Sequence, residues 1–212
     1  MKVGNAIRRI GFLAVICLAT GCITNHKTSV TSCCATNMPA ITRQVPMLST
    51  NSIYQVNATW TTDAGQPFKL SALSGRPQLV AMFFTSCQNA CPITVSDMKR
   101  VEAALPEALR GRVGFTLVSF DPDRDTVAAL HAYRLRRDLD SAHWTILRGE
   151  SAEVAELAAR LGMKYKNGAR GQFMHSNIIT VLNAEGEIVR QQIGLNQSID
   201  ETVAIVQHMA AR

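Results

Sequence analysis

Charged residues are scarce in this chain of 212 residues, at 18%, and neither sign dominates the bulk of it. With 47% hydrophobic residues as well, the chain is excluded from the disordered class. Seven prolines and thirteen glycines, with no internal repeat, exclude a collagen-like or coiled-coil protein. Long apolar runs are also missing. The N-terminal run Ile10–Thr20 stops at eleven residues, short of the roughly twenty that span a bilayer. The formal charge is +6, but Lys2, Arg8 and Arg9 supply three of those charges. Beyond them 19 basic residues face 16 acidic ones, so nucleic-acid binding has no compositional support. What is present is enough apolar material for one sizeable core, plus N-terminal appendages.

Met1–Arg9 carries three cations and no acid, and the short apolar run follows it. That order reads as a secretory signal peptide over residues 1–21. Leu18-Ala19-Thr20-Gly21-Cys22 resembles a bacterial lipobox, in which Cys22 is lipidated and becomes the new N-terminus. Ordinary signal cleavage, with Cys22 incidental, suits the same small residues. Ile23 stands where many inner-membrane lipoproteins carry an acid, so the membrane is not specified. The expected location is the bacterial cell envelope, as a lipoprotein facing the periplasm. Residues 22–51 are rich in Ser, Thr and Asn, with Pro39 and Pro46, and read as a lipidated flexible tether. A single α/β domain then occupies residues 52–212.

With Cys17 in the signal and Cys22 on lipid, four cysteines remain: Cys33, Cys34, Cys87 and Cys91. An exported thiol pair sits where disulfides form and persist. Cys33-Cys34, with His26 upstream, are either an extra thiol or metal site or plain tether residues. Nothing in the tether fixes their geometry.

Within the domain, Tyr54, Val56, Ala58 and Trp60 alternate with polar residues, which predicts a half-buried strand. Asp63-Ala64-Gly65 predicts a turn. Leu79–Phe84 is a continuous apolar run, as for a strand covered on both faces. A helix follows with Met98, Val101 and Leu105 on one stripe. Then come a strand over 113–120, a helix over 126–139, a strand over 144–147 and a helix carrying Val154, Leu157, Ala158 and Leu161. Strands over 176–182 and 188–193 flank the hairpin signal Asn183-Ala184-Glu185-Gly186. A last helix is expected from Ser198, with Ser198 and Glu201 as a capping box. The order β-α-β-α-β-α-β-β-α predicts an α/β, thioredoxin-like domain: a central mixed sheet flanked by helices, with a C-terminal β-hairpin.

The chemistry gathers at Thr85-Ser86-Cys87-Gln88-Asn89-Ala90-Cys91-Pro92, between the central strand and its helix. Ligands of open α/β sheets collect beyond the carboxyl ends of the strands, where this loop lies. Pro92 suits a first helical turn, with Cys91 at the cap and Cys87 just ahead. There the helix dipole favours thiolate, which is both a disulfide-exchange nucleophile and a soft-metal ligand. Three intervening residues leave room for a disulfide or a metal ion. His175 opens the strand over 176–182. If that strand is antiparallel to the central one, the imidazole reaches the cysteine edge. His26, His131, His143 and His208 hold no such position. Asp121-x-Asp123-x-Asp125 begins like a calcium loop, but Thr126 replaces the required glycine and Ala132 the bidentate glutamate. Asp125 reads instead as a helix N-cap.

Phe83-Phe84-Thr85-x-Cys87-x-x-x-Cys91-Pro92, then Asp121-Pro122-x-x-Asp125-Thr126, then His175-Ser176 and the Glu185-Gly186 turn, together resemble the Sco/SenC family from about Tyr54 to Met209. The resemblance implies a membrane-tethered thioredoxin-like protein that binds one copper, as Cu(I) or Cu(II), through Cys87, Cys91 and His175. It implies a role in assembling the copper site of a respiratory oxidase such as cytochrome c oxidase. The partner would be an oxidase subunit or another copper-site protein. Gln88 stands where the family usually has proline, and the anchor resembles a lipoprotein's rather than the family's common transmembrane helix. The rival reading is a metal-free thiol-disulfide oxidoreductase using Cys87 and Cys91 as a redox pair. A peroxidase is disfavoured, since no peroxide-activating arginine motif stands near Cys87.

Overall fold

The computed structural model describes residues 49–168 and 173–212. The signal, most of the tether, Cys22, His26, Cys33 and Cys34 lie outside these residues. Among the described residues nine strands and five α-helices follow in chain order: β1 (Trp60–Thr62), β2 (Pro67–Phe68), β3 (Gln78–Phe83), α1 (Ala90–Ala104), α2 (Glu107–Arg110), β4 (Gly114–Ser119), α3 (Val127–Arg137), β5 (Trp144–Arg148), α4 (Ser151–Arg160), β6 (Tyr165–Asn167), β7 (Phe173–His175), β8 (Ile178–Leu182), β9 (Ile188–Ile193) and α5 (Asp200–Ala210). Among the described residues, no helix is long and apolar enough to cross a membrane.

Seven strands form one sheet in the order β2-β1-β5-β4-β3-β8-β9. At its centre β3 runs parallel to β4, and β4 to β5, while β8 runs antiparallel to β3. Every residue of β3 and β4 is buried, as expected of strands covered on both faces. Their apolar side chains merge with Val95, Met98 and Val101 of α1, which packs on β3 and β8 and meets α5. The parallel β3–β4–β5 set with its helical crossovers, closed by the β8–β9 hairpin, is the expected thioredoxin-like arrangement. The hairpin turn forms because Asn183 Oδ1 accepts the backbone N–H groups of Glu185 and Glu187 at 3.1 and 2.8 Å. Gly186 completes it at φ +84°, with the Tyr54 ring so close that a Cβ would sit 2.4 Å from it.

Several elements differ from the sequence-based expectation. The burial alternation from Tyr54 to Trp60 is present, but Ile53–Gln55 is a 3₁₀ turn and only Trp60 enters a strand. The reason is the 3₁₀ turn itself, where the Tyr54 N–H donates to Ser52 Oγ and the Val56 N–H to the Ile53 carbonyl. Thr126, not Asp125, caps α3, its Oγ1 accepting the Ala129 N–H at 3.2 Å. The Ser198–Glu201 capping box does not form. Ser198 Oγ turns to Asp200 at 2.8 Å, and Glu201 pairs with Arg190 of β9. Finally, β6 and β7 form a separate two-stranded sheet. His175 ends β7 rather than opening β8.

Candidate metal centre

The cysteine loop begins where β3 ends. The Cys87 N–H donates to the Phe84 carbonyl at 3.2 Å, a tight turn that points the chain back toward α1. Asn89 is the N-cap of α1, so Cys91 is its second residue rather than the cap. The Cys91 N–H, one of the unpaired donors of a helix start, points at Cys87 Sγ at 3.3 Å. Both cysteines are buried, and both are free.

His175 arrives from the other side. In the β6–β7 pair it lies opposite Tyr165. Its ring sits against Phe84 and Phe120, with centroids 6.0 and 5.3 Å away, and Phe173 packs on both phenylalanines at 5.2 Å. Because β8 is antiparallel to β3, the chain just before β8 lies at the edge where β3 ends. The topological condition for His175 is met. Its Nδ1 lies 3.0 Å from the Ser176 carbonyl, which can only accept, so Nδ1 carries the proton. In the neutral ring Nε2 then carries the lone pair, 3.9 Å from Cys91 Sγ. The two sulfurs and a ring nitrogen of His175 all lie within 4.8 Å of one another.

Protons are distributed unequally over this group. Cys87 is pulled down to about 3, first because the Cys91 thiol donates to it. Burial opposes the shift, while His175 and the N–H groups of Cys91 and Asn89 reinforce it. Cys91 is pushed far up by the same bond and by its burial. The His175 imidazole is raised, chiefly by the Cys87 sulfur beside it, against its own burial. The pair of cysteines thus shares one proton, held on Cys91, beside an imidazole whose proton affinity the Cys87 sulfur raises. A soft cation would displace the Cys91 proton to gain the second thiolate.

Asp125 holds the loop to the neighbouring strand, a role its reading as a cap missed. Its Oδ2 accepts the Thr85 N–H at 3.0 Å and the Ser119 hydroxyl at 2.6 Å, and its Oδ1 accepts the Thr85 hydroxyl at 2.5 Å. Three donors converge on this fully buried carboxylate, and two of them belong to Thr85, two residues before Cys87. The Asp121-Pro122-x-x-Asp125-Thr126 motif signalled importance but not this partner. Arg124 adds a second tie, binding Asp121 at 2.5 Å and lying over the Phe173 ring of β7, 5.3 Å from its centre. The other described histidines are elsewhere: His131 faces Asp63, His143 faces Glu102 and His208 faces Arg212.

A candidate copper-binding protein of Stutzerimonas stutzeri is 28% identical over 127 residues, covering 58% of this chain. The chain spans about three fifths of that relative. The structure of a SCO1/SenC family lipoprotein from Bacillus anthracis superposes with a TM-score of 0.65 at 21% identity, covering 72% of this chain and 92% of its own. Bradyrhizobium japonicum ScoI with copper bound gives 0.59 at 23% identity, covering 72% and 96%. At those identities the likeness establishes the fold. Residues 31–211 match the model of the SCO1/SenC family, and with that match spanning most of its length the chain belongs to that family.

Proposed function

We propose that the protein binds one copper ion through Cys87, Cys91 and His175 and serves the assembly of a copper site in a respiratory oxidase such as cytochrome c oxidase. The observation that carries this reading is the convergence of two sulfurs and an imidazole nitrogen within 4.8 Å, supplied by two separate elements. Dithiol exchange needs no third ligand, so a histidine brought in on its own hairpin to lie against both sulfurs favours metal. Two thiolates select Cu(I), and the imidazole makes Cu(II) tolerable, so the set suits an ion that changes oxidation state. The copper carried by Bradyrhizobium japonicum ScoI supports the choice of metal. The lipobox-like run ending in Cys22 and the lipoprotein nature of the Bacillus anthracis relative support a membrane anchor facing the periplasm. The copper is cargo, and the recipient is an oxidase subunit or another copper-site protein.

A second reading has its own observation, the unequal thiols. Cys87, held as thiolate, would attack a client disulfide and release one client thiolate. Cys91, after losing its proton, would resolve the mixed disulfide, leaving a Cys87–Cys91 disulfide and a client dithiol. Copper titration of the reduced protein separates the two. One copper per chain is expected, with His175→Ala weakening Cu(II) more than Cu(I). Equal Cu(II) affinity of mutant and parent would remove His175 from the site and leave the reductase reading.

A further inference from the structure

At the end of the sheet opposite the cysteine loop lies a cleft of about 610 Å³. It is bounded by Pro77 before β3, Gly111 and Arg112 before β4, and Asn183 after β8. The five rises of β3, at about 3.3 Å each, separate it from the metal centre by roughly 17 Å of strand. Three arginines from three distant segments line it, Arg76, Arg112 and Arg212, against one acid, Glu185. Arg76 is fixed by donating to the Gly111 carbonyl at 3.4 Å, and Arg212 by a 2.7 Å contact with His208. The chain also enters the domain here. Ser52 Oγ donates to the Glu185 carbonyl at 2.6 Å, and the Ile53 N–H to the Gly186 carbonyl at 3.0 Å, on the turn that forms one wall of the cleft.

We propose that this arginine cleft docks on an anionic membrane surface and takes lipid phosphate headgroups, so that the cysteine edge faces away from the bilayer. The inference rests on the lipid-anchor reading of Cys22. The 28 residues from Cys22 to Ser49 reach at most ~100 Å when extended, so the anchor by itself permits every orientation of the domain. Guanidinium groups bind phosphate oxygens in bidentate fashion and are the residues suited to that task. Cations held beside an anionic leaflet each strengthen attachment about fivefold. A lipid-facing cleft at the point of chain entry would orient the anchored domain and leave the metal centre open to a soluble or membrane-bound recipient.

The test uses the full chain on its own anchor in vesicles, with hydrogen exchange read at residues 183–187 and 208–212. Slower exchange is expected on vesicles of phosphatidylcholine mixed with phosphatidylglycerol than on phosphatidylcholine alone. The Arg76→Gln/Arg112→Gln double variant should weaken docking about 25-fold, and 0.5 M salt should abolish it, while copper titration stays as in the parent. Equal exchange on both vesicles, with the chain floating on each, overturns the cleft and leaves the anchor standing. Equal slowing by inorganic phosphate on phosphatidylcholine vesicles overturns it too, since the site then takes a soluble anion. Exchange equally slow in neutral detergent means the chain's own N-terminal segment fills the cleft, which also overturns it. If the chain does not float on phosphatidylcholine, the anchor reading fails. Phosphatidylglycerol-dependent slowing that the double variant removes then still upholds the cleft, and its absence overturns it.

Discussion

Asp125→Ala is the sharpest test of how the cysteine loop is held. The carboxylate is fully buried and receives the Thr85 N–H, the Thr85 hydroxyl and the Ser119 hydroxyl, at 3.0, 2.5 and 2.6 Å. Hydrogen bonds to a charged group are worth about 1.5–3 kcal/mol each, and stranded donors add their own desolvation cost. Because the three share one acceptor they are not additive. Alanine should cost about 3–5 kcal/mol, a large share of the roughly 5–15 kcal/mol that keeps a domain folded. Asparagine provides the control. Its carbonyl can take the Oδ2 position and keep two donors, while its amide faces the Thr85 hydroxyl, which rotates to accept. That change should cost about 1–2 kcal/mol. Urea unfolding of the reduced protein measures both, with the m-value checking that the denatured state is unchanged. Copper titration should show Asp125→Ala weakened, since Thr85 sits two residues from Cys87, and Asp125→Asn close to the parent. If alanine lies within about 0.5 kcal/mol of the parent, the carboxylate is not the tie described.

Three further outcomes are expected, the first from the sequence alone and the others from the cysteine site. Cys22→Ser should abolish lipidation, and membrane extraction with mass measurement of the N-terminus checks it; a mature chain starting elsewhere without acyl groups refutes the anchor. Oxidation to a Cys87–Cys91 disulfide should remove tight copper binding and dithiol reductant restore it; serine at either position should be severe, and serine at Cys33 or Cys34 should cost little. Cys87, lowered to about 3 by the Cys91 thiol, should react with an alkylating agent at a rate nearly flat from pH 5 to 8, whereas an ordinary thiol accelerates about tenfold per pH unit there. The stability sign for the pair agrees: its lowered member makes the unfolded chain the better proton binder above pH 3, so stability rises with pH up to the ordinary thiol range. A Cys87 alkylation rate that climbs tenfold per unit would show that the proton is not shared as the structure has it.

What the sequence discloses here is governed by how far away the deciding partner lies. β3 and β4 are legible because burial on both faces leaves a continuous apolar run, a property of the strand itself. The β8–β9 turn is legible because Asn183 and Gly186 act within four residues of one another. The alternation from Tyr54 to Trp60 reports which side is covered, and the burial pattern obeys it. It says nothing of whether a neighbouring strand pairs with it, and from Val56 to Thr59 none does. Asp125 and Thr126 are adjacent and both suit an N-cap. The choice between them is made by Thr85, forty positions away, whose N–H and hydroxyl occupy the aspartate and leave the cap to threonine. The same holds for His175. The antiparallel β8 makes its arrival at the cysteine edge foreseeable, but the three-residue strands of β6 and β7 leave too short a pattern to read. Its final pose depends on Phe84, Phe120 and Phe173 packing around the ring, which local periodicity does not encode. The tautomer of the neutral ring is set by the Ser176 carbonyl at Nδ1, a neighbour in sequence whose orientation only the folded hairpin fixes. Donor identity in this site is thus a matter of spacing, and donor readiness a matter of tertiary structure.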